Sequence, residues 1–143
     1  MRSEFAITLF ASGGVLLVLD QWSKRMVQAH AANRCISCGR VLRIRYVKNP
    51  ALANGRKARA ALVLAWLAAL ASAIVLYGSG AWFQSYAALF GLGLAFGGAA
   101  GNIVDILRLR SIVDFIDLRW WPVFNLADVA IVAGLAAAFW PPT

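Results

Sequence analysis

Charged residues fall in blocks along this chain, and the gaps between blocks are long. Residues 60–83 and 84–104 carry no charge, and neither do residues 129–143, a stretch that extends back through Pro122. A fourth apolar run, 5–19, reaches greater length only by continuing through Asp20 and Gln21. Roughly 20 predominantly apolar residues cross the hydrocarbon core of a bilayer. The pattern predicts four transmembrane helices, at about 5–27, 60–78, 82–105 and 123–140, with Gly78-Ser79-Gly80 dividing the second from the third. The basic loop 28–59 reads differently. Within it, "VLRIRYVK" (41–48) alternates Leu42, Ile44 and Tyr46 with Arg43 and Arg45, the pattern of a half-buried strand. The expected fold is an all-α integral membrane protein of one domain, residues 1–143, with a small β-sheet in its first loop.

Composition agrees. The chain is 62% hydrophobic and 14% charged, whereas a soluble domain is about 45–50% apolar. The first apolar run lacks a small-x-small cleavage site before Asp20, so it reads as an uncleaved span. From Lys24 to Arg59 there are ten basic residues and no acid. Such a segment, tethered at the membrane, suits anionic lipid headgroups and argues against nucleic acid as a partner. Cys35 and Cys38 form one C-x-x-C, and His30 is the only histidine. A four-ligand zinc site is therefore not available, and a local disulfide or two free thiols is expected.

The acids are the unusual feature. Asn102-x-x-Asp105 closes one apolar run, Asn125-x-x-Asp128 opens the next, and Asp114 and Asp117 lie between them. Residues at i and i+3 share a helix face, so each Asn–Asp pair is expected to project together. Antiparallel spans bring both pairs, and Asp20, toward one membrane face. "SIVDFID" is apolar enough to be drawn against the helices. The bland alternative pairs each acid with Arg108, Arg110 or Arg119. Intramembrane ionisable groups are otherwise functional by default. Two adjacent carboxylates share a proton, one staying protonated while the other acts as a base toward water. No Gly-x-Ser-x-Gly accompanies them, and a carboxylate-only Mg²⁺ or Ca²⁺ site is weakly supported. Spacing alone makes Asp105 and Asp128 the matched pair.

"LDQWSK", "YVKN", "GGAAGNIVD", "VDFID" and "FNLAD", in this order, resemble the motifs of signal peptidase II, the bacterial lipoprotein signal peptidase. The resemblance spans the whole chain. It implies an intramembrane aspartic endopeptidase that removes signal peptides from diacylglyceryl-modified prolipoproteins. Carried over motif by motif, the catalytic pair becomes Asp114 and Asp128. Asp105 is then a supporting residue, Asn102 and Asn125 orient the dyad or substrate, and Asp20, Asn49 and Lys24 serve support and substrate contact. The resemblance also implies no cofactor, a monomer among membrane lipid, inhibition by globomycin, and residence in the bacterial inner membrane. Both termini would be cytoplasmic, so the first loop with its sheet and the active site would face the extracytoplasmic side. The positive-inside rule gives the reverse orientation, because the first loop is so basic. Four positions depart from the family pattern: Ile106 stands for Arg, Arg110 for Gly, Ala51 for Gly and Asn54 for Phe. Two other readings stay open: a non-catalytic protein of this fold that binds lipidated chains, and an ion-coupled transporter. Cleavage of a lipidated precursor separates the first reading from both.

Overall fold

The computed structural model describes residues 2–32, 34–50, 55–80 and 82–140. The elements run α1 (Arg2–Ala31), β1 (Ile36–Cys38), β2 (Leu42–Asn49), α2 (Arg56–Gly78), α3 (Tyr86–Leu109), β3 (Ile112–Asp117) and α4 (Leu126–Ala138). Stretches within α1, α2 and α3, namely Ala6–Ala31, Arg56–Gly78 and Tyr86–Leu109, are long and apolar enough to cross a membrane. The bounds differ from the sequence expectation at every helix. The first runs from Arg2 to Ala31 rather than over 5–27, and the second starts earlier, at Arg56. The third begins at Tyr86 because Ser85 caps it, its side chain accepting from the Ala88 N–H at 3.1 Å. The fourth has 13 residues rather than the expected 123–140, because Asn125 caps its start. At 1.5 Å per residue it is about 20 Å long, against a hydrocarbon core of about 30 Å.

α3 is the central helix, and small residues let its neighbours approach. A Cβ at Gly97 would overlap the backbone of Gly13 on α1, and one at Gly91 would overlap Gly134 on α4. Close backbone approach of this kind is how membrane helices gain packing contacts. It also brings the polar ends of α1, α3 and α4 within hydrogen-bond reach. α2 stands further off, with Ala73 as its one buried residue. Trp66 tethers it to α3, donating Nε1–H to the Phe96 carbonyl at 3.2 Å and meeting the Phe96 ring edge-on at 6.2 Å. Apolar cavities of about 390 and 250 Å³ flank Trp66.

The expected first-loop strand is β2, which pairs antiparallel with β1. A third strand comes from an unexpected place. "IVDFID", read as a connection lying on the helices, is β3, and it pairs antiparallel with β2, setting Val47 opposite Asp114 and Arg43 opposite Asp117. Phe124 exchanges backbone hydrogen bonds with Ile116 and leads the chain back into α4. The sheet thus ties the first loop to the start of α4.

Candidate active site

Asn125 is the hub. Its backbone is extended, φ −127° and ψ −178°, and it caps α4 reciprocally with Asp128. The Asn125 side-chain oxygen accepts from the Asp128 N–H at 3.0 Å, and the Asn125 N–H donates to Asp128 Oδ2 at 3.1 Å. This capping box satisfies two backbone donors at the helix start. It also turns the Asp128 carboxylate toward β3. The remaining end of the amide, Nδ2, donates to Asp114 Oδ1 at 2.9 Å. One fully buried asparagine therefore holds both carboxylates.

Each carboxylate has a second support. Asn49, at the end of β2, donates to Asp114 Oδ2 at 3.2 Å. Asn102 on α3 donates to Asp128 Oδ1 at 3.0 Å. Asp114 is buried and Asp128 half-buried. Burial, with a further push from the neighbouring Asp128, raises the Asp114 carboxyl above its ordinary pKa, against the pull of the Asn49 and Asn125 donors.

Behind the pair lies a buried ion cluster. Lys24 on α1 places its ammonium 2.8 Å from Asp20 Oδ2, 2.8 Å from Asp105 Oδ2 and 2.9 Å from Asn102 Oδ1. An ammonium has three donors, and here each has an acceptor. The same Asn102 oxygen accepts from Asn125 at 3.1 Å, which links the cluster to the carboxylate pair. Asp20 Oδ1 accepts from the Ala127 N–H at 3.0 Å in the first turn of α4, and Asp105 Oδ2 from the Val113 N–H at 3.2 Å on β3. The cluster thus clamps α1, α3, β3 and α4 together.

All eight candidate residues, Asp20, Lys24, Asn49, Asn102, Asp105, Asp114, Asn125 and Asp128, fall in this one network. The pairing of acids with nearby arginines does not hold for Asp105, whose cation is Lys24. Arg110 departs from the family's Gly at a position with φ 55°, the left-handed cap of α3. Glycine adopts that conformation without strain. Ile106 is buried against Ile112 and Leu62. Ala51 and Asn54 lie outside the described residues. Cys35 is an exposed free thiol, and the side chain of Cys38 lies outside the described residues. Sequence reasoning missed Gln21, which donates to Asp105 Oδ1 at 2.9 Å and to the Gly101 carbonyl at 3.2 Å. Its signal was a second polar residue beside Asp20 in an apolar run.

The larger cavity, about 390 Å³, runs between α2 and the α3–α4 pair and is lined by apolar side chains with Asn102 among them. An apolar groove therefore ends at a residue that touches Asp128.

A family model described as signal peptidase (SPase) II matches residues 13–141. A lipoprotein signal peptidase of Moorella thermoacetica is 38% identical over 130 residues, covering 88% of this chain and 86% of that protein. One of Rhodococcus jostii is 34% identical over 139 residues, covering 90% of this chain and 68% of that protein. A solved structure described as a bacterial membrane enzyme superposes with a TM-score of 0.75 at 20% identity, covering 91% of this chain and 88% of that one.

Proposed function

The chain belongs to the signal peptidase II family, and on that premise we propose that it is an intramembrane aspartic endopeptidase acting on diacylglyceryl-modified prolipoproteins. The observation that carries the reading is the Asn125 bridge: one buried side chain bonded to Asp114, its own backbone bonded to Asp128. Carboxylates held this way cannot both ionise easily, so they share a proton. Asp114, the more buried, keeps it. Asp128 then takes a proton from a water, which attacks the scissile carbonyl, and Asp114 gives its proton to the departing amine. Asn49, Asn102 and Asn125 hold the carboxylates in register for this exchange, and the Lys24 cluster with Asp20 and Asp105 fixes Asn102. No cofactor takes part.

The short α4 supports a site within the membrane. If Trp140, exposed beyond its C-terminal end, marks one interface, a helix of about 20 Å leaves Asp128 roughly 10 Å short of the other. The substrate's apolar segment then enters laterally along the groove toward Asn102. In the inner membrane, with the sheet on the extracytoplasmic side, a monomer would meet exported precursors where they emerge. Globomycin would compete for the same groove.

The test is single-turnover cleavage of a lipidated precursor, followed by gel shift. Asp114→Asn and Asp128→Asn are each expected to abolish cleavage while unfolding at temperatures close to wild type. Asp105→Asn is expected to retain partial activity, because a misplaced supporting group costs about 100-fold. Turnover by either dyad variant would remove that residue from the mechanism. A dead Asp105→Asn beside an active Asp114→Asn would reassign the pair.

A further inference from the structure

At the far end of β3 the sheet carries a second cluster, outside the candidate active site. Asp117 is buried, and two arginine side chains and the backbone of a third act on it. Arg45 Nε lies 2.7 Å from Asp117 Oδ2, Arg43 faces Asp117 across the β2–β3 pairing, and the Arg119 N–H donates to Asp117 Oδ1 at 2.8 Å. That backbone bond, with Arg45 and Arg43 adding their charge, holds the Asp117 carboxyl below its usual range. One carboxylate against the Arg45 and Arg43 side chains, with Arg119 two residues further along the chain, leaves a local excess of positive charge. Next to it, Trp120 and Trp121 are 73% and 57% exposed, with ring planes 70° apart. Arg119 stands at φ 69°, a left-handed conformation that costs an L-residue energy. The turn holds that strain while presenting two tryptophans to the outside.

The surroundings select the partner. Every lysine and arginine except Arg2 and Lys24 lies on the first loop, the β3–α4 link or the adjoining helix ends. Outside the candidate active site the acids are Asp117, at this end, and Glu4, at the other. The end is therefore strongly cationic, and its arginines and tryptophans lie on β2 and on the β3–α4 link, outside the spanning helices. Guanidiniums bind phosphate oxygens in a bidentate fashion, and tryptophan prefers the headgroup layer, ring in the apolar side and N–H toward water.

We propose that Arg43, Arg45, Arg119, Trp120 and Trp121 form a binding site for the headgroup of an anionic phospholipid of the surrounding leaflet. The phosphodiester lies against the arginines and the glycerol region against the tryptophan pair. The site depends neither on the peptidase chemistry nor on which way the chain is inserted.

The full chain is reconstituted in neutral phosphatidylcholine doped with brominated phosphatidylglycerol or, in parallel, an equal fraction of brominated phosphatidylcholine. Tryptophan quenching is then compared. Anionic-lipid enrichment at the site is expected to be roughly tenfold at low salt and to shrink as salt is raised. The preferential part should disappear in Trp120→Phe/Trp121→Phe, which removes the reporting rings, and in Arg43→Gln/Arg119→Gln, which keeps the Arg45–Asp117 pair. Equal quenching by the two lipids in the wild-type chain overturns the proposal whatever the variants do. So does a preference that neither salt nor the arginine changes reduce. Because no substrate is present, a negative result leaves the peptidase reading untouched.

Discussion

Asn125→Ser separates the two jobs that Asn125 does. As a cap, Ser is about as good as Asn, and loss of a cap altogether costs about 1 kcal/mol. The serine hydroxyl can still accept from the Asp128 N–H, and the backbone N–H of residue 125 can still donate to Asp128. It cannot reach Asp114, which loses the 2.9 Å donor, nor Asn102, which loses the 3.1 Å one. The Val113 carbonyl also loses a donor, at 3.3 Å, while the other two acceptors keep a second partner, Asn49 for Asp114 and Lys24 for Asn102. The space left is polar, so a water can enter. The stability loss should therefore stay near the low end of the roughly 1–3 kcal/mol for an orphaned buried acceptor. Activity should fall much further, about 100-fold, because Asp114 is no longer held in register with Asp128. Asn125→Ala should lose a similar activity and about 1 kcal/mol more stability, the cap being gone. The assays are thermal unfolding in detergent and single-turnover cleavage, on the same preparations. Cleavage by Asn125→Ser within threefold or so of wild type, on the scale of that 100-fold expectation, would mean that the bridge does not position Asp114. Equal stability of the Ser and Ala variants would mean that the cap contributes nothing.

Lys24→Met strands Asp20 and Asp105 in a buried site and should cost about 3–5 kcal/mol; Lys24→Met/Asp20→Asn/Asp105→Asn should recover much of it, and a single-variant loss below about 1 kcal/mol in thermal unfolding would refute the ion-pair account. Burial raises the pKa of Asp114, so the folded state holds its proton more tightly than the unfolded chain, and that contribution to stability is lost as pH rises through the raised value. Unfolding temperatures measured across pH should thus shift in favour of Asp114→Asn over wild type with rising pH above about 4, and a shift the other way would contradict the burial argument. Arg110→Gly, relieving a left-handed residue at φ 55°, should raise stability by about 0.5–1 kcal/mol, and a lower unfolding temperature would show that the Arg110 side chain matters more than its backbone.

Helices were legible because long uncharged runs leave few alternatives, and β2 because its basic and apolar residues alternate. β3 was not legible, for a physical reason. Five of its six residues are buried, so no alternation marks a strand, and a short apolar run reads equally as strand or buried coil. Its partner lies on β2, more than sixty residues away in the chain. The position of Lys24 was half legible. Its spacing from Asp20 is the i, i+4 of a helix pair, but its reach to Asp105 depends on how closely Gly13 lets α1 approach Gly93 and Gly97.

The two Asn-x-x-Asp phrases show how equal spacing can carry unequal geometry. In α3 the phrase is inside the helix, so Asn102 and Asp105 do project from one face, and Lys24 donates to both, at 2.9 and 2.8 Å. Asp105 is spent on that ammonium, on Gln21 and on the Val113 N–H. In α4 the phrase straddles the helix start. Asn125 is still extended, so the pair forms a capping box instead of a common face, and Asp128 is turned back over the helix end. That turn, and not the spacing, sets Asp128 beside the asparagine that also holds Asp114. Whether Asn-x-x-Asp lies within a helix or across its first turn decides which acid meets β3. The sequence marks the difference weakly, through Pro122 and the "PVF" that precede Asn125 and make a helix start there more plausible than a helix interior.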